Sequence, residues 1–520
     1  MKVRALLTDL YQLTMGGGYF QLEKIKQEVV FDYFFRRNPF NGGYTIFAGL
    51  EKLVKYLLNL KFSEDEVGYL RSLKMFPEKF LDYLLNEFRF RGDVYAVPEG
   101  TVVFPNTPIV RVKANILEAQ LIESALLNIL NFPTLIATKA ARICQAAEGA
   151  TILEFGLRRA PEDGVLSATR AAIIGGCQAT SNVEGARIFN VPPKGTQAHS
   201  WIQSFPTELE AFRAYARVYP NSCLLLVDTY NTLGSGVPNA IKVFKELREK
   251  GYQPLGMLGI RIDSGDLAYL TVEARKMLDE AGFEEAIIVL SNDLDEYVIT
   301  QVIDNIKRIW TEPVVKELQE KINNGQLIPE EKQRLKEKLF EVTHQAIQTI
   351  KKIVYGVGTA LVTGKGESAL GGVYKLVAAE ENKKLIPKVK ISGNPEKITN
   401  PGVKELWRVY KDGQMIADVI SLAGEDLTKE KEIPIFHPQE IHKKNVLKRF
   451  DKAEKMLKPI IRKGELVYDL PSLLEIQKRT QEQLSQLHLT YKRLLNPHVY
   501  WVSLTEKLWE LKQKMIKERR

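Results

Sequence analysis

The residues of this 520-residue chain that could do chemistry gather at the ends of short apolar runs. ATILEFG, CLLLVDTY, LGIRIDSGD, AIIVLSND and KIVYGVGTALV each pass from β-branched or apolar residues into acid, amide or glycine. These endings put Asp228, Asp263, Asp266, Asn292, Asp293 and Thr359 at successive strand tips. One acid at a strand end is an ordinary turn residue. Five such endings in a row form a polar rim suited to a sugar phosphate and to a divalent cation, which a few carboxylates and several waters hold well. Gly356 and Gly358 offer N–H groups unobstructed by side chains, and Thr359 adds a hydroxyl, as a phosphate requires. Of the six histidines, His199 alone lies in the stretch between the first two of these runs, in GTQAHSW.

Such a rim must be carried by elements that bring the strand ends together. Helical stretches such as Val237–Lys250 and Leu267–Ala281 separate the apolar runs, and strands alternating with helices predict a parallel sheet. The expected fold is α/β: an irregular α/β barrel over 118–375, whose active site lies at the C-terminal ends of its strands. Residues 1–117 predict an N-terminal α+β domain, with strand-like runs at Val29–Phe35 and Thr101–Val112. Asp304–Lys352 is charged and amphipathic, turns at Asn323-Asn324-Gly325 and restarts at Pro329, a residue suited to a first helical turn. It predicts a helical hairpin inserted between two barrel strands. Residues 376–520 predict a helical C-terminal region that packs on the N-terminal domain and ends in basic helices.

Composition narrows the class. With 45% hydrophobic and 26% charged residues, the chain suits a protein with a sizeable core and more than one domain. The net charge of +9 sits entirely in residues 431–520, with 20 Lys and Arg against 11 Asp and Glu, and reads as a solvated basic face rather than a nucleic-acid surface. No run is long enough to span a membrane, and the N-terminus has no signal-like segment. Cys144, Cys177 and Cys223 are widely spaced, without a CxxC pair, so neither a disulfide framework nor a zinc site is expected. The expected setting is the cytoplasm.

Seven blocks then fall in one order: DLYQLTM at Asp9–Met15, EFGLRRA at Glu154–Ala160, ATSNVEGARIFNVPPKGTQAHSW at Ala179–Trp201, LLVDTYN, GIRIDSGDL at Gly259–Leu267, LSNDLDE and YGVGTALVTG. In this order they resemble nicotinate phosphoribosyltransferase, from Leu6 to about Val419 apart from the hairpin. The resemblance implies a homodimer of the type II phosphoribosyltransferase fold. It also implies joining of nicotinate to 5-phosphoribosyl 1-pyrophosphate, coupled to ATP hydrolysis, to give nicotinate mononucleotide, pyrophosphate, ADP and phosphate.

The resemblance assigns residues as well. GT-x-AHS places a phosphorylated histidine at His199, and an imidazole attacks phosphorus only if its other nitrogen is held, for which Asp228 is the candidate. Asp263 joins these two in the catalytic set. Arg158 and Arg261 match positions that face base and phosphates, where a guanidinium fork pairs with carboxylate or phosphate. Asp263 and Asp293 are candidates for ribose hydroxyls and for Mg²⁺ or Mn²⁺, directly or through water; Asn292, Gly358 and Thr359 complete the phosphoribosyl site. For nicotinate, Phe155 stacks on one ring face and Tyr11, lent by the neighbouring subunit, on the other, with Thr196 near. Ser181 stands where related nicotinamide phosphoribosyltransferases carry an acid, and its hydroxyl removes a repulsion against a carboxylate. The rival readings are a nicotinamide-using enzyme, a quinolinate phosphoribosyltransferase with no need of ATP or His199, and a non-catalytic scaffold retaining the barrel.

Overall fold

The computed structural model describes residues 4–252, 257–440 and 442–519. It divides into two compact units, one built from the chain up to Thr138 and from Gly366 onward, the other from Lys139–Lys365. This differs from the predicted division at 117/118 and 375/376. The first boundary falls inside the 24-residue helix Glu123–Ala146. The second precedes strand Gly372–Glu381, which pairs antiparallel with Glu28–Phe35 and so belongs with the N-terminal strands.

In the first unit, Glu28–Phe35 lies between Gly372–Glu381 and Val110–Asn115 in a seven-stranded sheet. Its run of apolar residues follows from that place, since Val29, Val30, Phe31, Tyr33 and Phe35 are all buried. Asp32 is buried in the same strand and paired with the Lys404 ammonium at 2.9 Å. Residues 376–520 are not predominantly helical as predicted. They hold strands such as Lys404–Lys411, Gln414–Leu422 and Trp501–Leu504, with two longer helices at Leu473–Ser485 and Glu506–Lys517.

The second unit carries the predicted rim. Its strands are β1 (Thr151–Glu154), β2 (Ala179–Thr180), β3 (Leu224–Leu226), β4 (Gly259–Ile262), β5 (Ile287–Leu290) and β6 (Ile353–Val357). They form one parallel sheet in the order β2-β1-β6-β5-β4-β3. Of the expected irregular α/β barrel, the described residues show a six-stranded parallel ladder, with no hydrogen bonding between its end strands, β2 and β3. The cores of β3 and β5, Leu224–Leu226 and Ile288–Leu290, are apolar and buried, as parallel strands covered on both faces must be.

The predicted hairpin lies between β5 and β6 but is not a separate insertion. Its first arm is one continuous helix, Glu296–Asn323, capped by the Asp295 carboxylate on the N–H groups of Tyr297 and Val298. Glu296 is fully buried, with Lys139 at 2.6 Å and Arg142 at 2.9 Å, and anchors the helix root. The second arm, Pro329–Lys351, returns to β6.

Candidate active site

The pleat of β4 sets the centre of the site. Side chains alternate along a strand, so Ile260 and Ile262 share the buried face while Arg261 and Asp263 share the other. The Arg261 Nη2 therefore reaches Asp263 Oδ1 at 2.8 Å. β5 runs in register with β4, Val289 opposite Arg261 and Leu290 opposite Ile262, which sets Ser291 beside Asp263. The Ser291 hydroxyl accepts from Arg261 Nε at 2.8 Å and donates to Asp263 Oδ1. Arg261 Nη1 donates to Thr196 Oγ1 at 2.9 Å, and its guanidinium carbon lies 5.9 Å from the Phe155 ring centroid. Arg261, Thr196, Phe155 and Asp263, four of the predicted residues, are thus gathered by one guanidinium.

His199 opens a one-turn helix, His199–Gln203. Its Nε2 faces Asp263 Oδ2 at 3.9 Å, and its Nδ1 lies 3.1 Å from the hydroxyl of Thr229. Asp228, the predicted partner of the ring, does something else. Its Oδ2 accepts from the Asp263 N–H and the Ser264 hydroxyl, both at 2.7 Å, which ties the end of β3 to the end of β4. Its Oδ1 is buried without a hydrogen-bond partner. The pairing is corrected accordingly: Thr229 and Asp263 flank the imidazole, and Asp228 holds the loop that carries Asp263.

Ser181 directly follows β2, with its N–H donated to the Glu154 carbonyl at 2.9 Å. The buried Glu154 carboxylate fixes this corner, accepting from the hydroxyls of Thr180 at 2.5 Å and Thr169 at 3.0 Å. Arg158 lies exposed in the turn after β1. Asn292 and Asp293 adopt φ of +99° and +45°, left-handed backbone that side chains other than glycine rarely take and that recurs at functional sites. Both line a cavity of about 280 Å³ together with Gly265–Ala268, Gln301 and Asn305. Asp266 is a helix cap, accepting from the N–H groups of Ala268 and Tyr269.

The glycine reading is half corrected. Gly356 lies inside β6, and a Cβ there would come within 2.4 Å of the Phe155 ring. Its lack of a side chain makes room for that ring rather than for phosphate. Gly358 does follow the strand, at the N-cap of the short helix Thr359–Val362, with Thr359 exposed. Tyr11 belongs to the first unit, where it is 48% exposed near the start of helix Leu10–Gln21. Partial burial and the Glu123 carboxylate push its phenol up to about 12.

Thr229, Ser291 and Glu154 were not singled out from the sequence as site residues, although each lies within a quoted block. The register of β5 against β4 was the missing information for Ser291.

Oxygen donors dominate the rim, and among the described residues no group of three or more His, Cys, Asp or Glu side chains could hold a metal by itself. The set fits a hard cation held by one or two carboxylates, with water and phosphate oxygens completing its shell. Asp263 Oδ2 is the carboxylate oxygen left over from the Arg261 and Ser291 contacts. Among the described residues no helix is long and apolar enough to cross a membrane.

Comparison with known proteins gives a consistent result. Models described as the nicotinate phosphoribosyltransferase (NAPRTase) N-terminal domain, the NAPRTase family and the C-terminal domain match residues 6–131, 150–312 and 403–512. The chain is 42% identical to the nicotinate phosphoribosyltransferase of Bacillus subtilis over 99% of its own length and 95% of the relative's. It is 32% identical to the human enzyme, over 98% and 96%. Superposed on a crystal structure of human nicotinic acid phosphoribosyltransferase, it gives a TM-score of 0.79 at 28% identity, covering 98% of this chain and all of that one. A nicotinate-nucleotide pyrophosphorylase from Pyrococcus furiosus shares the fold, with a TM-score of 0.64 at 21% identity over 93% and 95% of the two chains.

Proposed function

Because the chain belongs to the nicotinate phosphoribosyltransferase family, whose reaction serves NAD biosynthesis, we propose that this rim joins nicotinate to 5-phosphoribosyl 1-pyrophosphate and couples the step to ATP. The observation that carries the reading is the state of Arg261. Three of its five N–H groups are committed, to Thr196, Ser291 and Asp263. Two remain, one on each terminal nitrogen, the donor count that a bidentate carboxylate needs. With the Phe155 ring beside it and the Ser181 hydroxyl as a further donor, this is a pocket for a flat aromatic acid. Arg158 adds positive charge for the pyridine carboxylate or the phosphates.

Ribosyl transfer develops positive charge at the ribose C1 as pyrophosphate leaves, and fixed charges aimed at both are the effective catalysts. Asp263 and Asp293 suit the ribose hydroxyls, and Asn292, Gly358 and Thr359 suit the 5′-phosphate. Mg²⁺ or Mn²⁺, held by Asp263 or Asp293 directly or through water, would neutralise the leaving pyrophosphate. His199 takes the γ-phosphoryl group of ATP on Nε2, with the Thr229 hydroxyl fixing the ring at Nδ1 and Asp228 holding the loop beneath. Tyr11 closes the base site from the second copy of a homodimer. The chain works in the cytoplasm.

Ser181→Asp tests the base assignment. A carboxylate placed at roughly 4 Å from the nicotinate carboxylate in an intermediate dielectric costs up to ~4 kcal/mol. The expected outcome is a fall in kcat/KM for nicotinate of at least about tenfold, equivalent to ~1.4 kcal/mol. Nicotinate kinetics that do not change would remove Ser181 from the pocket.

A further inference from the structure

We infer that Ser291 is the positioning residue that fixes which pyridine the site accepts, acting through Arg261; the inference rests on the nicotinate reading above. Its hydroxyl is placed by strand register rather than by a mobile loop, one residue beyond the paired Leu290 and beside the end of β4. Ser291 is 4% exposed, so the group is not available to solvent. A hydroxyl has one proton to give, and here it goes to Asp263 Oδ1, while a lone pair takes the Arg261 Nε–H at 2.8 Å. The Arg261 Nη2 closes a triangle on the same carboxylate oxygen at 2.8 Å.

This triangle decides where the guanidinium can point. Anchoring Nε on one side and Nη2 on another fixes the plane of the fork, and the Thr196 hydroxyl at 2.9 Å fixes Nη1. The uncommitted N–H groups are then held in place before any ligand arrives. Without the Ser291 oxygen, the Nε–H has no acceptor and the guanidinium turns about its last torsion, drawn toward Asp263. A rigid fork favours an anion whose two oxygens match it; a loose one loses most of that preference over a neutral carboxamide. Ser291 touches neither the pyridine nor the ribosyl donor in this account, so its effect is carried entirely by Arg261.

The test is a double-mutant cycle on the full-length enzyme, with steady-state kinetics for nicotinate and for nicotinamide. Ser291→Ala should raise KM for nicotinate about tenfold or more, change kcat less than about threefold, and narrow the nicotinate-to-nicotinamide ratio of kcat/KM. Ser291→Thr, which keeps the hydroxyl, should restore the ratio. In an Arg261→Lys background, where there is no Nε–H to anchor, Ser291→Ala should have little further effect on KM. Equal effects of Ser291→Ala in both backgrounds, or a loss confined to kcat with the ratio intact, would overturn the inference. If Ser291→Ala precipitates, Ser291→Thr decides alone: a collapsed ratio in a soluble, folded Thr variant also overturns it. Should the wild type itself show no preference for nicotinate, the underlying nicotinate reading fails first, a result distinct from any behaviour of Ser291.

Discussion

His199 meets a hydroxyl on one side and a carboxylate on the other, and the two are not equivalent. The Asp263 oxygen at 3.9 Å is beyond hydrogen-bond reach of Nε2, whereas Thr229 holds Nδ1 at 3.1 Å. Thr229 is thus the group that sets the angle of the ring. Thr229→Val keeps the shape and removes the hydroxyl; ATP turnover in the presence of nicotinate should fall about tenfold, and Thr229→Ser should recover most of it. Such a fall is equivalent to ~1.4 kcal/mol, within the range of one hydrogen bond to a reacting group. Retained turnover in the Val variant would leave the ring to Asp263 alone. The sequence was informative about the rim residues because each follows a strand, and strand ends are marked by their apolar runs. Which rim residue touches which was not legible. Asp228 looked like the partner of His199, but the backbone N–H of Asp263 and the hydroxyl of Ser264 claim its carboxylate first.

At the scale of elements, β1 and β3–β6 were legible because strands buried on both faces are near-continuous apolar runs. β2, with two residues, carries too little pattern to be found. The C-terminal strands were hidden for a different reason. KNVLK and KAEK form the two edges of a six-stranded sheet, and edge strands carry lysines that discourage further pairing. Lysine-rich segments of this kind carry the same pattern as a solvated basic helix face. The hairpin was legible in type and place, yet its root belongs to the core, with Ile306 and Ile350 buried. Its outer part is held by exposed or half-exposed pairs, Lys321–Glu331, Arg334–Glu317 and Lys338–Glu317, each worth little. Replacing 318–333 with a short Gly-rich turn should therefore leave the melting temperature within about 4 °C and the activity within about twofold. Removing all of 305–351 should give an insoluble or unfolded chain, since each lost buried aliphatic side chain costs ~2–5 kcal/mol. A fully active 305–351 deletion would contradict the anchoring role of the root.

At the scale of the whole molecule, the first and last parts of the chain build one unit and the middle builds the other, so Tyr11 and His199 lie on different units. The proposed dimer makes the site a shared one. In a heterodimer of Tyr11→Ala with His199→Ala, one site carries both lesions and the other neither, so activity should return to about half of wild type. A verified heterodimer with no recovery would place Tyr11 within its own subunit. The central claim, ATP-coupled transfer through His199, has a more direct test. ATP hydrolysis and nicotinate mononucleotide formation are measured together in wild type and His199→Ala, with and without nicotinate, at saturating 5-phosphoribosyl 1-pyrophosphate. If the claim holds, nicotinate accelerates ATP hydrolysis in the wild type, and His199→Ala loses this response while keeping a slow, ATP-independent transfer. ATP hydrolysis that still responds to nicotinate in His199→Ala would contradict it.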